Sequence, residues 1–250
     1  MNCLESVRKN KADILFLSTS RVYPIQAIND LKFVETETRF NPVPNHKNYS
    51  VTGQGITESL TLSGSRSLYG TTKLCSELLI EEYIAAYGIK AVINRCGLIA
   101  GPWQMGKVDQ GVIVLWVANH LFNRSLSYIG YGGQGKQVRD VLHIVDLCRL
   151  VEIQISDIDT YNGEVFNVGG GLANSVSLME LTDICRNVTG KTIPITSIVE
   201  TRPNDLIWYV TDNSKITACS GWSPEKSVQD TITDITRWIN EHSSSLIRIL

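Results

Sequence analysis

The sequence predicts an α/β fold with mostly parallel strands. Three observations carry that expectation. Short continuous apolar runs alternate with amphipathic segments of helical period. The apolar runs end in hydroxyl-rich or glycine-rich stretches, as buried parallel strands do where they give way to loops. No internal repeat, low-complexity tract or linker-like change of composition divides the 250 residues.

Each element follows from period and punctuation. Residues 14–17 are a buried strand ending at Ser18-Thr19-Ser20. From 24 to 65 the chain is rich in Pro, Asn, Thr and Gly, including Asn41-Pro42-Val43-Pro44-Asn45. It reads as a long irregular surface excursion of the kind that carries function. Residues 67–87 set Leu74, Leu78, Tyr83, Ile84 and Tyr87 near helical spacing, with Glu77, Glu81 and Glu82 between them and Gly88 as a stop. That pattern is an amphipathic helix.

A strand at 91–94 leads through Gly97 and Gly101-Pro102 into a helix at 112–122. Residues 126–129 and 137–142 are short strands flanking the glycine-rich turn 130–135, and 145–155 is helical. The run 165–168 ends at Gly169-Gly170-Gly171 as another buried strand, and 177–188 is a helix closed by Gly190. Strands at 193–199 and 207–211 and a helix at 225–242 complete the chain.

Composition excludes several function classes. With 43% apolar and 19% charged residues the chain can bury a full core and is not disordered. Lys and Arg number 23 against 25 Asp and Glu, a net charge of −2, so no bulk attraction to nucleic acid or acidic membranes is expected. The most apolar segment, 111–122, is too short and too interrupted by Asn119 and His120 to cross a bilayer. Met1 leads directly into the polar stretch 2–13, without the pattern of a secretory leader. Six cysteines lie scattered with no Cys-x-x-Cys or Cys/His spacing, which argues against a metal site and a disulfide framework. A reducing cytoplasm is the expected compartment.

The chemistry begins at Tyr69-Gly70-Thr71-Thr72-Lys73. Four residues apart on a helix, the phenol and the ammonium share one face. A cation beside a phenol favours the phenolate, which equips Tyr69 to exchange a proton with a substrate hydroxyl. Alone, the pair is weak evidence, since a surface lysine near a locally packed tyrosine is commonplace.

Context strengthens it. A strand ending in Ser18-Thr19-Ser20, a long loop, a helix with Tyr-x-x-x-Lys, a strand and then glycine-rich turns resemble the extended short-chain dehydrogenase/reductase superfamily, in particular the NAD-dependent nucleotide-sugar epimerases and dehydratases. The similarity runs over nearly the whole chain. Its most specific stretches are Arg95-Cys96-Gly97, the segment 101–111 and the segment 135–143, which are most similar to the CDP-sugar 2-epimerases of that group.

The resemblance implies roles residue by residue. Tyr69 would be the catalytic acid/base, and Lys73 would tune it and bind the nicotinamide ribose. Thr19 would hydrogen-bond the reacting sugar hydroxyl, with Ser18 and Ser20 as fallbacks that otherwise satisfy strand-end groups, and Ser18 would count with Tyr69 and Lys73 among the cofactor contacts. Cys96 and Gly97 would offer backbone contacts to the nicotinamide amide, although a small buried thiol is commonly a plain core residue. Arg139 and Arg202 would clamp the substrate diphosphate with their forks of donors, and Asp205 would touch the sugar or ribose. His143 and Asp146 read as helix-start residues. The family's dehydratases carry Asp and Glu after the Thr. Here Ser20 and Arg21 follow it, which disfavours 4,6-dehydration.

The resemblance further implies an NAD cofactor, a nucleotide-diphosphate sugar as substrate, and a homo-oligomer formed through the Tyr69 helix. No Gly-x-Gly-x-x-Gly or Gly-x-x-Gly-x-x-Gly precedes Thr19, and residues 1–9 look like the helix before the family's fifth strand. The expected fold is therefore an incomplete Rossmann-type parallel sheet, short of about three β-α units, with a smaller C-terminal α/β substrate-binding part. Residues 1–100 with 137–168 would be the remainder of the nucleotide-binding sheet, and 101–136 with 169–250 the substrate-binding part. Residues 1–250 alone are expected to hold NAD weakly and not to turn over. The alternatives are a non-catalytic nucleotide-sugar binder and another activity of the superfamily, such as a UDP-sugar 4-epimerase.

Overall fold

The computed structural model describes residues 1–43, 50–106 and 111–250. Pro44 and Asn45 of the excursion and Lys107 to Gln110 of the 101–111 segment lie outside them. Helix α1 (Asn2–Asn10) leads into β1 (Ile14–Thr19), a 3-10 turn at Ser20–Val22, α2 (Ile25–Asn29), and the antiparallel pair β2 (Phe33–Glu35) and β3 (Phe40–Pro42). Then come α3 (Leu68–Tyr87), β4 (Ala91–Cys96), β5 (Leu98–Ala100), α4 (Val112–Leu121), β6 (Leu126–Ile129), β7 (Val138–His143), α5 (Ile144–Ser156) and α6 (Ile158–Tyr161). The chain continues through β8 (Val165–Val168), β9 (Ser175–Ser177), α7 (Leu178–Thr189), β10 (Ile195–Ile198), β11 (Trp208–Tyr209), α8 (Ser214–Ser220), α9 (Val228–Glu241) and α10 (Ser243–Leu246).

The site is built on the parallel sheet β1-β4-β8. Its register aligns Thr19 with Cys96 and Cys96 with Val168, so three strands end level with one another. In open α/β sheets ligands bind beyond such carboxyl ends. Central β4 is buried at all six positions, whereas β1 is an edge strand whose Leu17 stays exposed. Against one face, Leu4 of α1 and Ile80 and Tyr83 of α3 pack with Ile89, Ala91 and Ile93. Each large aliphatic chain withdrawn from water there contributes about 1.5–3 kcal/mol.

The chain leaves this sheet at Gly97. β5, only one residue beyond β4, pairs with β7, which also pairs with β11 and antiparallel with β9. Within 137–168, β8 pairs with β4, whereas β7 lies in the other sheet with β5, β11 and β9. Strands 126–129 and 137–142 do not pair across their glycine-rich turn either, since β6 runs parallel to β10.

Helix starts follow local chemistry. Ser67, Ser177 and Ser227 each accept the amide of the residue three further on, and Glu180 and Asp230 complete reciprocal boxes. This is why the last long helix starts at Val228 and not at 225. The excursion 24–65 departs from expectation: Ile28, Ile56 and Leu60 are buried with Tyr23, Leu206, Trp208 and Val210, and Ile56 bridges to Thr211. Single apolar residues separated by turns pack there without any period to betray them. Among the described residues no helix is long and apolar enough to cross a membrane.

Candidate functional site

Thr19 ends β1 and caps the 3-10 turn, its Oγ1 accepting the Arg21 amide at 3.2 Å. The hydroxyl proton thus remains available for donation. Helix α3 starts against this turn, and a Cβ at Gly70 would overlap the Arg21 carbonyl oxygen, so only glycine permits the approach. That contact brings Tyr69, 55% exposed, to the same cleft as Thr19.

One turn further on, the Lys73 ammonium donates to the Leu17 carbonyl at 2.8 Å and lies 4.8 Å from the centre of the Phe16 ring. Lys73 therefore stands on the open edge of β1, beside the cleft and not among its lining residues. Ser18 points away from the cleft, donating to the Glu77 carboxylate. Cys96 is buried, its thiol donating to the Asn94 carbonyl at 3.6 Å, and burial pushes the thiol up to about 12 against the opposing influence of Lys73. A role for Cys96 must use its backbone. Gly97 lines the cleft, but its amide already donates to Val168 at 2.8 Å, which leaves the carbonyl for any ligand.

Glu77 is the principal residue that the sequence misplaced. Read as part of the polar face of its helix, it is instead fully buried, at 0% exposure. Positions 69, 73 and 77 form one stripe at i, i+4 and i+8 that faces β1. The Arg95 guanidinium donates to Glu77 at 2.7, 3.1 and 3.3 Å and to the Tyr23 hydroxyl at 3.2 Å. Tyr23 donates in turn to Asn167, whose amide donates to the Ile56 carbonyl. Burial is the largest single influence and opposes the Arg95 charge, but the bonds and charges of Glu77 and Tyr23 together outweigh it and hold the guanidinium above its ordinary value. The available signal was Arg95 itself, a cation inside an apolar strand that requires a carboxylate partner.

Across the cleft stand the diphosphate candidates. Arg139 of β7, its side chain 20% exposed, donates to Asp205 at 3.0 Å and to the carbonyls of Val138 and Leu206 at 2.7 Å. Burial lowers its proton affinity, and neighbouring Arg21 adds to that, while Asp205 opposes it. The cation is thus under-compensated, a condition an anionic ligand relieves. Arg202 and Asp205 also line the cleft, whose volume is ≈ 810 Å³. Thr19, Tyr69, Gly97, Arg139, Arg202 and Asp205 are therefore brought together, while Ser18, Lys73 and Cys96 lie behind or beside them.

Asp140 was also missed. Fully buried on the cleft floor, it accepts the amides of Gly171 at 3.0 Å and Thr211 at 3.2 Å, and burial raises its carboxyl above the ordinary range. It ties β7 to the turn after β8 and to the strand-end after β11, contacts too distant in sequence to read. His143 and Asp146 hold the expected structural places: His143 caps α5 by accepting from Val145, and Asp146 accepts the Lys226 amide.

The residues present fit one end of a dinucleotide. Lys73, one turn from Tyr69, donates one hydrogen to Leu17 in a solvent-exposed contact, and two hydrogens of its ammonium remain for acceptors such as ribose hydroxyls. Among the described residues no glycine-rich turn joins a strand directly to an α-helix as a pyrophosphate cradle would. β1 runs into Ser20–Val22, and the glycines after β8 run into a 3-10 turn at Leu172–Asn174.

Comparison with known proteins agrees with this geometry. The model of the NAD dependent epimerase/dehydratase family matches residues 1–169. The CDP-paratose 2-epimerase of Salmonella typhi is 30% identical over 246 residues, covering 95% of this chain and 68% of that protein. The UDP-glucose 4-epimerase of Corynebacterium glutamicum is 27% identical, over 72% of this chain and 56% of that protein. In fold, the chain is similar to the UDP-glucose 4-epimerase of Thermus thermophilus solved with NAD, with a TM-score of 0.73 at 22% identity over 96% of this chain and 68% of that one. It is similar too to the UDP-glucuronic acid 4-epimerase of Bacillus cereus solved with UDP-glucuronic acid and NAD, with a TM-score of 0.72 at 23% identity over 96% and 65% of the two chains. The chain thus spans about two thirds or less of the length of these relatives. Matched by the family model over most of its length and carrying the Tyr-x-x-x-Lys helix beside Thr19, this chain belongs to the NAD dependent epimerase/dehydratase family.

Proposed function

We propose that the chain supplies the acid/base and substrate-binding residues of an NAD-dependent nucleotide-sugar epimerase that inverts a hydroxyl-bearing sugar carbon, in the manner of a CDP-paratose (CDP-tyvelose) 2-epimerase. The observation that carries this reading is a single cleft with a hydroxyl and a phenol, Thr19 and Tyr69, on one wall and Arg139 with Asp205 on the other. Such a lining suits a molecule with a reactive hydroxyl at one end and an anion at the other.

In this reading Arg139 and Arg202 hold the diphosphate, and Asp205 orients Arg139 and accepts from a sugar or ribose hydroxyl. Thr19, whose Oγ1 already accepts the Arg21 amide, donates its hydroxyl proton to the reacting oxygen. Tyr69 takes the proton from that oxygen at its Oη and later returns it. Lys73 would hold the nicotinamide ribose, with Cys96 and Gly97 offering backbone contacts to the nicotinamide amide. NAD, when bound, supplies reversible hydride uptake at the sugar carbon. Ser20 and Arg21, where proton-abstracting carboxylates would be needed, support epimerisation over dehydration.

Two further parts of the reading are proposals of the same kind. Residues 1–250 alone bind NAD weakly. A homo-oligomer forms through α3, which exposes Leu68, Leu78 and Tyr87. Similarity to UDP-glucose 4-epimerases supports a second reading in which the sugar is UDP-linked and inverts at another carbon. Calorimetric titration with CDP, UDP and dTDP separates the two. Tightest binding of CDP favours the first, tightest binding of UDP the second, and no binding of any diphosphate removes both.

A further inference from the structure

Arg21 is the cation in the cleft for which neither the fold nor the family reading provides a purpose. Its backbone is fixed on both sides: the amide donates to Thr19, and the carbonyl is pressed against the Cα of Gly70. The side chain starts from the Thr19 wall and reaches the opposite one. There Nη1 meets the Asn204 carbonyl at 3.4 Å, in the segment between Arg202 and Asp205. That contact is long, solvent-exposed and made to a neutral acceptor.

Among the described residues Arg21 has no carboxylate within ion-pair distance. The carboxylate nearest in function, Asp205, is engaged by Arg139. Arg21 and Arg139 feel one another's charge, and Arg21 also acts on Tyr131, which donates to the Asp205 carbonyl. Three guanidiniums, Arg21, Arg139 and Arg202, thus line one cleft with two carboxylates, Asp205 and the buried Asp140, a local excess of positive charge in a chain of net −2. A planar fork of donors held at its base and loosely parked at its tip suits a bidentate anion, above all a phosphate.

We propose that Arg21 is a further substrate-binding residue, whose guanidinium leaves the Asn204 carbonyl to grip the diphosphate of the nucleotide sugar jointly with Arg139. This rests on the nucleotide-sugar reading. It adds that the diphosphate ties the wall carrying Thr19 and Tyr69 to the 202–205 segment, so that binding the anion also seats the sugar against the reacting groups.

The test is calorimetric titration of the 250-residue chain and its Arg21→Ala and Arg21→Lys variants with CDP, UDP and CMP. Arg21→Ala is expected to weaken the preferred diphosphate by about ten- to a hundredfold, as loss of a charge-assisted contact does. It should also narrow the preference for CDP over CMP, and Arg21→Lys should recover part of the loss. Because the side chain makes one weak contact, the melting temperature should stay unchanged. Wild-type binding of a diphosphate with equal binding by Arg21→Ala would overturn this inference alone. A wild-type chain that binds none of the three would overturn the nucleotide-sugar reading, and the inference with it.

Discussion

Replacing Glu77 with Gln preserves the shape of the side chain and removes its charge. In the native chain Glu77 is wholly enclosed and accepts from two nitrogens of Arg95, Nε and Nη2, and from the hydroxyl of Ser18, while the Arg95 side chain is only 6% exposed. The variant leaves a guanidinium buried with one neutral amide oxygen and the Tyr23 hydroxyl as partners. Breaking a buried pair from one side costs about 3–5 kcal/mol, a large share of the 5–15 kcal/mol that typically stabilises a domain. Because Glu77 shares its stripe with Tyr69 and Lys73, the same change should loosen α3 from β1 and impair the site. Urea unfolding followed by fluorescence reads the stability change, at unchanged dependence on denaturant. Removing both partners, as Glu77→Leu with Arg95→Met, should recover most of the loss, since the desolvated charge disappears with its counter-ion. A loss below about 1 kcal/mol for Glu77→Gln would refute the assignment of this pair as the link between helix and sheet.

Gly70→Ala should cost at least about 1–3 kcal/mol through overpacking, because the added methyl meets the Arg21 carbonyl; a variant as stable as the parent would show that α3 approaches the turn less closely. The two buried histidines should withdraw stability as pH drops from about 6.5 toward 5, while the raised carboxyls of Asp140 and Glu58 act in the opposite sense, so the histidine contribution is read as the difference between the parent and its His143→Asn variant. Burial holds His143 and His120 below their ordinary values, so the unfolded chain binds more protons in that window and the contribution present above it is lost. At His143, protonation also removes the acceptor for the Val145 amide, a cap of about 1 kcal/mol. His143→Asn keeps an acceptor without the titration and should remove the His143 share of that loss; an unchanged slope would contradict the assignment to His143. Glu5, held near 2 chiefly by its bond to Arg8, acts below this window and does not confuse it.

Local chemistry was the legible part of the fold. Serines at 67 and 177 and glycines at 88 and 190 announce helix ends because capping is satisfied within four residues, whereas the cap at Ser227 is passed over in the sequence pattern, which places that helix from 225. Thr19, Tyr69 and Lys73 are singled out by a helical Tyr-x-x-x-Lys spacing and by family resemblance, and the structure sets Thr19 and Tyr69 at one cleft with Lys73 beside it. What escaped depends on contacts far along the chain. Glu77 looks like any glutamate on an amphipathic helix until Arg95, in a different element, is known to point at it. Asp140 gains meaning only from amides at 171 and 211, and Ile56 looks like loop until Trp208 and Val210 close over it. Strands 126–129 and 137–142 are neighbours in sequence and not in the sheet, because pairing register is set by distant partners such as β10 and β11.

The central claim is that Tyr69 exchanges the proton of a sugar hydroxyl while NAD is bound. Its most direct test is the NAD-dependent inversion of a CDP-sugar, followed by NMR of the sugar protons, in the protein purified from its source and in its Tyr69→Phe variant. The account predicts inversion at one carbon by the parent protein. In the variant the rate should fall by about a hundredfold or more, while CDP binds as before. Turnover by Tyr69→Phe at the parent rate would contradict it.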